Sequence, residues 1–345
     1  MMVRVLYVGL CVLMCAAVCS SNVDIRPGSP PAVPVVEVAF TAKQGEEPIA
    51  LRYAPAKRAA NAAPAIIEEV CEKYLKPGVK NLAAGFSYWA PPDECIKEAQ
   101  KLLTENSMEL HRYGSCLGLP ELCDLLKKKL KKENNIIGRE VMVTAGANMA
   151  FVHAATCLCS PGESAILFTP YYFSHRVALE LQGIRPIYVE CDEDMVPSAI
   201  NLKSALESAK RQGIVVKMVT VVTPGNPSGV VIPQQRLQEL IKVCSEYAVW
   251  LISDETYEYF TYDGAVHASP SNNEGVINIF SLSKSYGLAG WRVGYLAYPP
   301  SLHQVMLKVQ DTIVTNCPII SQKIALAALR VGPDWVRDKV RTIFI

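Results

Sequence analysis

From about Ile96 onward the chain alternates short apolar runs with stretches of helical periodicity. The runs fall at residues 141–143, 165–168, 187–189, 218–222, 250–253, 276–280 and 294–297. Each is too short for a core helix and is apolar without alternation, the pattern of a strand buried on both faces. Strands of that kind separated by helices predict an α/β fold: a mostly parallel sheet in a three-layer α/β/α arrangement. The chain has 345 residues, 50% of them hydrophobic, which is enough for one large core and a smaller second domain. In open α/β sheets ligands sit beyond the carboxyl ends of the strands, so the residues that follow each run are the ones to inspect for chemistry.

Run 276–280 leads into Ser281 and Lys284, with Arg292 eight positions beyond the lysine, among serines and glycines. A lysine packed in such a turn is partly dried. A desolvated ammonium gives up its proton more readily, and the free amine can form a Schiff base with a carbonyl compound. A surface loop that carries Lys and Arg is the plainer reading. Gly146, Ala147 and Asn148 follow run 141–143 where the chain enters a helix through residues 149–158. A glycine there exposes backbone N–H groups at the positive end of the helix dipole, which suits a phosphate; a simple strand-to-helix turn is the alternative. Thr169-Pro170-Tyr171-Tyr172-Phe173 is an aromatic edge, and Pro224-Gly225-Asn226-Pro227-Ser228-Gly229 a turn cluster. Asp254 and Tyr257 end run 250–253, where a carboxylate either caps a helix or faces a ligand. Gly85-Phe86-Ser87-Tyr88-Trp89, before Pro91-Pro92, reads as a shaped loop or a turn burying aromatics.

Taken in this order, the segments resemble the pyridoxal-phosphate (PLP) aminotransferases of class I and II over about residues 83–294. The resemblance implies the PLP-dependent transferase fold type I, with a large domain and an incomplete small domain. It implies that Lys284 is the catalytic residue, holding PLP as a Schiff base and later moving the substrate's α-proton. Gly146, Ala147 and Asn148 become the phosphate cradle, Ser281 and Arg292 bind the phosphate from the lysine side, and Tyr172 stacks on the ring. Asn226 and Tyr257 reach the ring's phenolic oxygen and Asp254 pairs with its nitrogen. Gly85, Tyr88 and Trp89 line the substrate side. Tyr113, in Arg112-Tyr113-Gly114, is assigned to the phosphate of a neighbouring subunit, which implies a homodimer. The implied reaction moves an amino group between an L-amino acid and a 2-oxo acid. The Gly85-Phe86-Ser87-Tyr88-Trp89 and Pro170-Tyr171-Tyr172-Phe173 segments are similar to a subgroup of transaminases that use methionine and aromatic amino acids, and aromatic walls suit large apolar side chains, so one of these is the expected substrate. A β-elimination lyase on sulfur amino acids and a non-catalytic PLP-binding homologue remain open on the same scaffold.

The expected organisation is a signal-like leader at 1–20, a linker and arm at 21–60, and an N-terminal part of the small domain with the substrate loop at 61–96. The PLP-binding large domain spans 97–330, and 331–345 begins a small domain truncated at Ile345. Arg337 and Arg341 read as surface residues of that last helix. The leader has an early Arg4, an apolar stretch at 5–18 and small residues before position 21, the layout of a secretory signal too short for a stable membrane span. Entry into the secretory pathway or an organelle is expected, with the cytoplasm as the alternative if the leader is not real. Net charge is +1, so no nucleic-acid partner is expected. The lysines at 127, 128, 129, 131 and 132 are expected on a solvated helix face. Of 12 cysteines, Cys11, Cys15 and Cys19 fall in the leader and the rest show no paired spacing. Cys157 and Cys159 do not share a helix face, so no metal is expected.

Overall fold

The computed structural model describes residues 54–81, 85–270 and 273–344. The leader expected at 1–20 and most of the arm at 21–60 lie outside them. Seven strands form one sheet: β1 (Glu140–Thr144), β2 (Ser164–Thr169), β3 (Arg185–Glu190), β4 (Val216–Val222), β5 (Trp250–Asp254), β6 (Val276–Ser281) and β7 (Gly294–Tyr298). Their order is β1-β7-β6-β5-β4-β2-β3. Every expected strand is present. β2, β3, β4, β5 and β6 pair in parallel, while β7 runs antiparallel to β1 and to β6. The reason lies in the connection after β6, which holds a single helical turn, Leu282–Ser285, and a short 3-10 turn, Ala289–Trp291. A parallel return needs a covering helix, and here there is none.

The longer helices are α1 (Ile66–Tyr74), α2 (Asp93–Glu105), α3 (Pro120–Glu133), α4 (Ala147–Leu158), α5 (Phe173–Leu181), α6 (Ala199–Arg211) and α7 (Gln234–Glu246). After β7 come α8 (His303–Ile313), α9 (Ile319–Val331) and α10 (Pro333–Arg341). Side chains alternate across the strands and so fill two layers. Met142, Ile252, Ile277 and Ile279 pack with Phe151 and Ala154 of α4, Leu179 of α5 and Met306 of α8. On the other face Val141, Val143, Phe280 and Tyr295 meet Leu122 and Leu126 of α3 and Ile324 of α9. Further along that face Ile166, Val219 and Leu251 meet Leu206 of α6 and Leu240 of α7. The last helix joins the same core: Val336 and Val340 of α10 are buried, and Trp335 stacks on Tyr286 with ring centroids 6.1 Å apart. Among the described residues no helix is long and apolar enough to cross a membrane.

The lysine run departs from expectation at one position. Lys127, Lys128, Lys131 and Lys132 are exposed, but Lys129 is buried. Helical spacing puts it beside Leu122 and Leu126, on the face that packs against the sheet. Its ammonium is paired with Glu258, donates to Asn134 Oδ1 at 2.8 Å and lies 4.7 Å from the centre of the Phe280 ring. Removing one partner of a buried pair leaves the other charge without compensation, at a cost of ~3–5 kcal/mol. Lys129→Ala is therefore expected to lower unfolding stability by about that much, and Lys128→Ala by no more than ~0.5 kcal/mol. Urea denaturation of the two variants beside the parent chain checks the difference.

Candidate active site

A cavity of about 180 Å³ opens at the carboxyl ends of the strands, lined by residues that follow β1, β2, β4, β5 and β6. Lys284 enters it from the turn after β6. Ser281 caps that turn: its Oγ accepts from Ser283 N at 3.1 Å, and Ser285 Oγ donates to Ser281 O at 3.4 Å. Because the Ser281 oxygen is used as an acceptor, its hydroxyl proton is left to donate into the cavity. The loop from Gly85 is laced onto the same turn. Lys284 Nζ donates to the Gly85 carbonyl, and Ser87 Oγ donates to the Lys284 carbonyl at 2.5 Å. A Cβ at position 85 would lie 3.5 Å from Lys284 Nζ and 3.7 Å from the Tyr257 hydroxyl. The glycine thus brings bare backbone up to both groups. Gly287, at φ +65°, permits the close approach from below, since a Cβ there would stand 2.8 Å from the Trp89 carbonyl oxygen.

Opposite the lysine is an anion cradle. Gly146, at φ +86°, starts α4, and no side chain caps that helix. The N–H groups of the first helical turn have no partner within a helix, and the dipole adds positive potential there. Ala147 and Asn148 line the cavity at this point. Arg292, itself at φ +53°, holds its guanidinium over the turn by donating to Ala145 O at 3.2 Å and to Ala289 O at 3.0 Å. A Cβ on Gly146 would come within 2.9 Å of Arg292 Cζ, so the glycine is what lets the cation sit against the helix start.

The third feature is Asp254, the last residue of β5, whose side chain is almost fully buried. Its Oδ2 accepts from His175 Nε2 at 3.1 Å, and its Oδ1 accepts from Thr256 N at 3.0 Å and Thr256 Oγ1 at 2.7 Å. Burial alone would push this carboxyl up. The hydrogen bond and charge of His175, helped by the two Thr256 donors, outweigh it and hold Asp254 below its ordinary value. His175 is fixed in turn by stacking on Phe151 at 4.0 Å between centroids and by an edge contact to Tyr172 at 5.2 Å. Tyr172, Asn226 and Tyr257 line the same cavity.

Thus Lys284, Ser281, Arg292, Ala147, Asn148, Tyr172, Asn226, Asp254, Tyr257 and Gly85 share one cavity, with Gly146 just behind its wall. Tyr88, Trp89 and Tyr113 do not line it. Tyr113 is 88% exposed. Tyr88 is exposed as well, its hydroxyl 2.6 Å from Thr342 Oγ1. Trp89 turns into the core and stacks on Phe260 with ring centroids 6.0 Å apart. Tyr88 and Trp89, expected on the substrate side, stand away from this cavity, while Ile67, Phe173 and Val222 line it. Sequence reading also passed over His175, Thr256 and Ser283. His175 carried one usable signal, a position three after Tyr172 at the start of a helix that leaves a strand end.

Residues 77–343 match the family model for aminotransferases of class I and II. The chain is 39% identical over 268 residues to the aromatic aminotransferase ISS1 of Arabidopsis thaliana, covering 76% of this chain and 66% of that one. It is 33% identical over 248 residues to an aspartate aminotransferase of Pyrococcus abyssi, covering 70% and 62%. The chain therefore spans just under two thirds of these relatives' lengths. Among solved structures, the aspartate aminotransferase from Thermus thermophilus with maleate aligns with a TM-score of 0.73 at 25% identity, covering 83% of this chain and 77% of that one. The aromatic aminotransferase from Pyrococcus horikoshii aligns with a TM-score of 0.68 at 27% identity, covering 80% and 73%.

The Asp254–His175 pair has a consequence for acid stability. A carboxyl lowered in the folded state stabilises the fold above the unfolded value of ~3.9, and that contribution is lost as pH falls through the folded value. In His175→Phe burial acts without its main opponent and the carboxyl titrates higher. The acid-side fall in melting temperature is expected to begin at higher pH than in the parent chain. Superimposable acid limbs in thermal unfolding at a series of pH values would show that His175 does not set this ionisation.

Proposed function

The chain belongs to the class I and II aminotransferases, and from that membership we propose that it is a PLP enzyme moving an amino group between an L-amino acid and a 2-oxo acid. The observation that carries this reading is the meeting, in one cavity, of an amine, a buried ionised carboxylate and an anion cradle. These three match the aldehyde, the ring nitrogen and the phosphate of PLP. The bare helix start at Gly146, a position where a side chain would collide with Arg292, fits a phosphate in particular.

In this reading Arg292, Ser281 and the N–H groups at the start of α4 hold the phosphate. Tyr172 supports the ring face, and Asn226 and Tyr257 serve its phenolic oxygen. Asp254, kept ionised by His175 and Thr256, holds a proton on the ring nitrogen; at ~4 Å and an effective dielectric of ~20 such a pair is worth up to ~4 kcal/mol. Bound in this way, PLP would supply an electrophilic carbonyl carbon and an electron-withdrawing ring. Lys284 Nζ would be the group that removes the substrate's α-proton and gives it back, acting as base and then acid. Gly85, whose carbonyl already accepts from Lys284 Nζ, sets the lysine's position before substrate arrives.

Methionine or aromatic amino acids are the proposed substrates. Ile67, Phe173 and Val222 in the lining are apolar and give a large apolar side chain a wall to pack on. Tyr113 is proposed to serve the phosphate site of a second copy, which its exposure permits.

The direct test is a half-reaction on the PLP-loaded chain with L-phenylalanine or L-methionine and no acceptor. A change in the cofactor's absorption with an equivalent yield of 2-oxo acid is expected, and Lys284→Ala should slow it by ~10²–10⁴-fold or more. Steady release of pyruvate and ammonia from a sulfur amino acid would select elimination instead, and an unresponsive spectrum would sink catalysis by this chain. For the second subunit, sedimentation should return a dimer mass, and Tyr113→Phe should weaken PLP binding by about tenfold. A monomer whose affinity is unchanged by Tyr113→Phe would refute the shared site.

A further inference from the structure

Asp254 points to the cavity, and successive residues of a strand point to opposite faces, so the next carboxylate points away from it. Glu255 is fully buried on the α3 side of the sheet. Its Oε1 accepts from Asn278 Nδ2 at 2.7 Å, and its Oε2 accepts from His267 Nε2 at 2.8 Å and from Ser269 Oγ. Asn278 lies on β6 opposite Ser253, three residues before Ser281, and its amide also donates to Pro270 O at 2.8 Å. Ser269 Oγ accepts from Asn134 Nδ2 at 2.9 Å, and the same Asn134 amide donates to Glu258 Oε2 at 3.0 Å, where the Lys129 ammonium is paired. One carboxylate thus ties the end of β5, the end of β6, the segment at 267–270 and α3 to one another.

The turn that follows β5 shows what this tie controls. Glu258 N donates to Glu255 O at 3.0 Å and Glu255 N donates to Ile279 O at 2.8 Å, so residues 255–258 form a closed turn hung from β6. The side chains of Glu255 and Glu258 anchor it on the α3 side, while Asp254 and Tyr257 stand on the cavity side. Packing alone does not call for a carboxylate at 255, since burying a charge costs several kcal/mol that an apolar residue would avoid. A charge with three directed donors does supply something an apolar side chain cannot, a single rotational and axial setting for the turn.

We propose that Glu255 is a positioning residue, one that sets Asp254 and the Tyr257 hydroxyl relative to Lys284 by joining β5 to β6 from the face opposite the cavity. The proposal rests on the reading of the cavity as a PLP site, and the test separates the two. Glu255→Gln keeps the shape, removes the charge and replaces one acceptor oxygen by an amide donor, facing either Asn278 Nδ2 or His267 Nε2 and Ser269 Oγ. Three quantities are measured on parent and variant: hydrogen exchange at the Thr256 and Tyr257 amides without cofactor, affinity for PLP, and the pH midpoint of the bound cofactor's absorption. Faster exchange at those two amides, about tenfold weaker PLP binding and a midpoint moved by about one pH unit are expected. Affinity for inorganic phosphate, which reports Arg292, Ser281 and the N–H groups at the start of α4 rather than Asp254 and Tyr257, should stay within about twofold. A variant that melts earlier yet keeps its exchange, affinity and midpoint would overturn the proposal and leave Glu255 a fold-stabilising residue only. A parent chain that binds no PLP overturns the underlying reading instead, and the proposal with it. If Glu255→Gln does not fold, Ser269→Ala, which deletes one donor of three, should show the same changes at smaller size, and their absence would overturn the proposal equally.

Discussion

Two adjacent carboxylates, Asp254 and Glu255, are buried at the end of β5, one on each face of the sheet, and neither charge is paid for by water. Each is met by a histidine from a different part of the chain: His175 Nε2 at 3.1 Å from Asp254, and His267 Nε2 at 2.8 Å from Glu255. Much of the surrounding architecture follows from supplying those donors. The helix α5 must leave β2 at a place that sets His175 under the cavity, with Phe151 of α4 stacked against it to hold the ring. The segment at 267–270 must return across the end of β6 so that His267, Ser269 and Asn278 converge on Glu255. Lys129 of α3 extends the second of these arrangements to the helix layer, and it is buried for that reason despite sitting in a run of exposed lysines.

The cavity takes its character from a short connection. Between β6 and β7 the chain has space for one helical turn and little else, so β7 returns antiparallel and brings Arg292 back beside the start of α4. Lys284 and Arg292 therefore face the same volume from the two ends of one loop. Two glycines make this possible for steric reasons that their neighbours show directly. Gly146 leaves space for the guanidinium, and Gly287 lets the carbonyl of Trp89 pass beneath the lysine turn. The loop from Gly85 closes the arrangement through its bonds to both ends of Lys284, the amine and the backbone carbonyl.

Much of the site was legible before any coordinates because each part sits at the end of a readable strand. Gly146, Tyr172, Asn226, Asp254 and Lys284 all follow apolar runs, and the rule that ligands gather at strand ends places them together. His175 was not legible, since it lies inside a helix whose sequence looks like any half-buried helix. The directions of Tyr88 and Trp89 were not legible for a related reason. An aromatic residue in a loop beside a site has two apolar destinations, the cavity and the core, and local sequence carries no information about which is nearer. Trp89 found Phe260 and the core, and Tyr88 turned outward to Thr342.

The amino-acid sequence by itself determined the layer order, the strands and the ends at which chemistry is placed, because burial on two faces and helical periodicity are written in the local order of residues. It also determined family membership, through motifs whose order survives in this chain. Only the tertiary structure decided which way β7 runs, which lysine of the α3 run is buried, which aromatics line the cavity and which histidine serves which carboxylate. Those outcomes depend on contacts between residues far apart in the chain. A buried charge accepts whichever donor the packed elements bring within about 3 Å, and that distance is fixed only when every layer is in place.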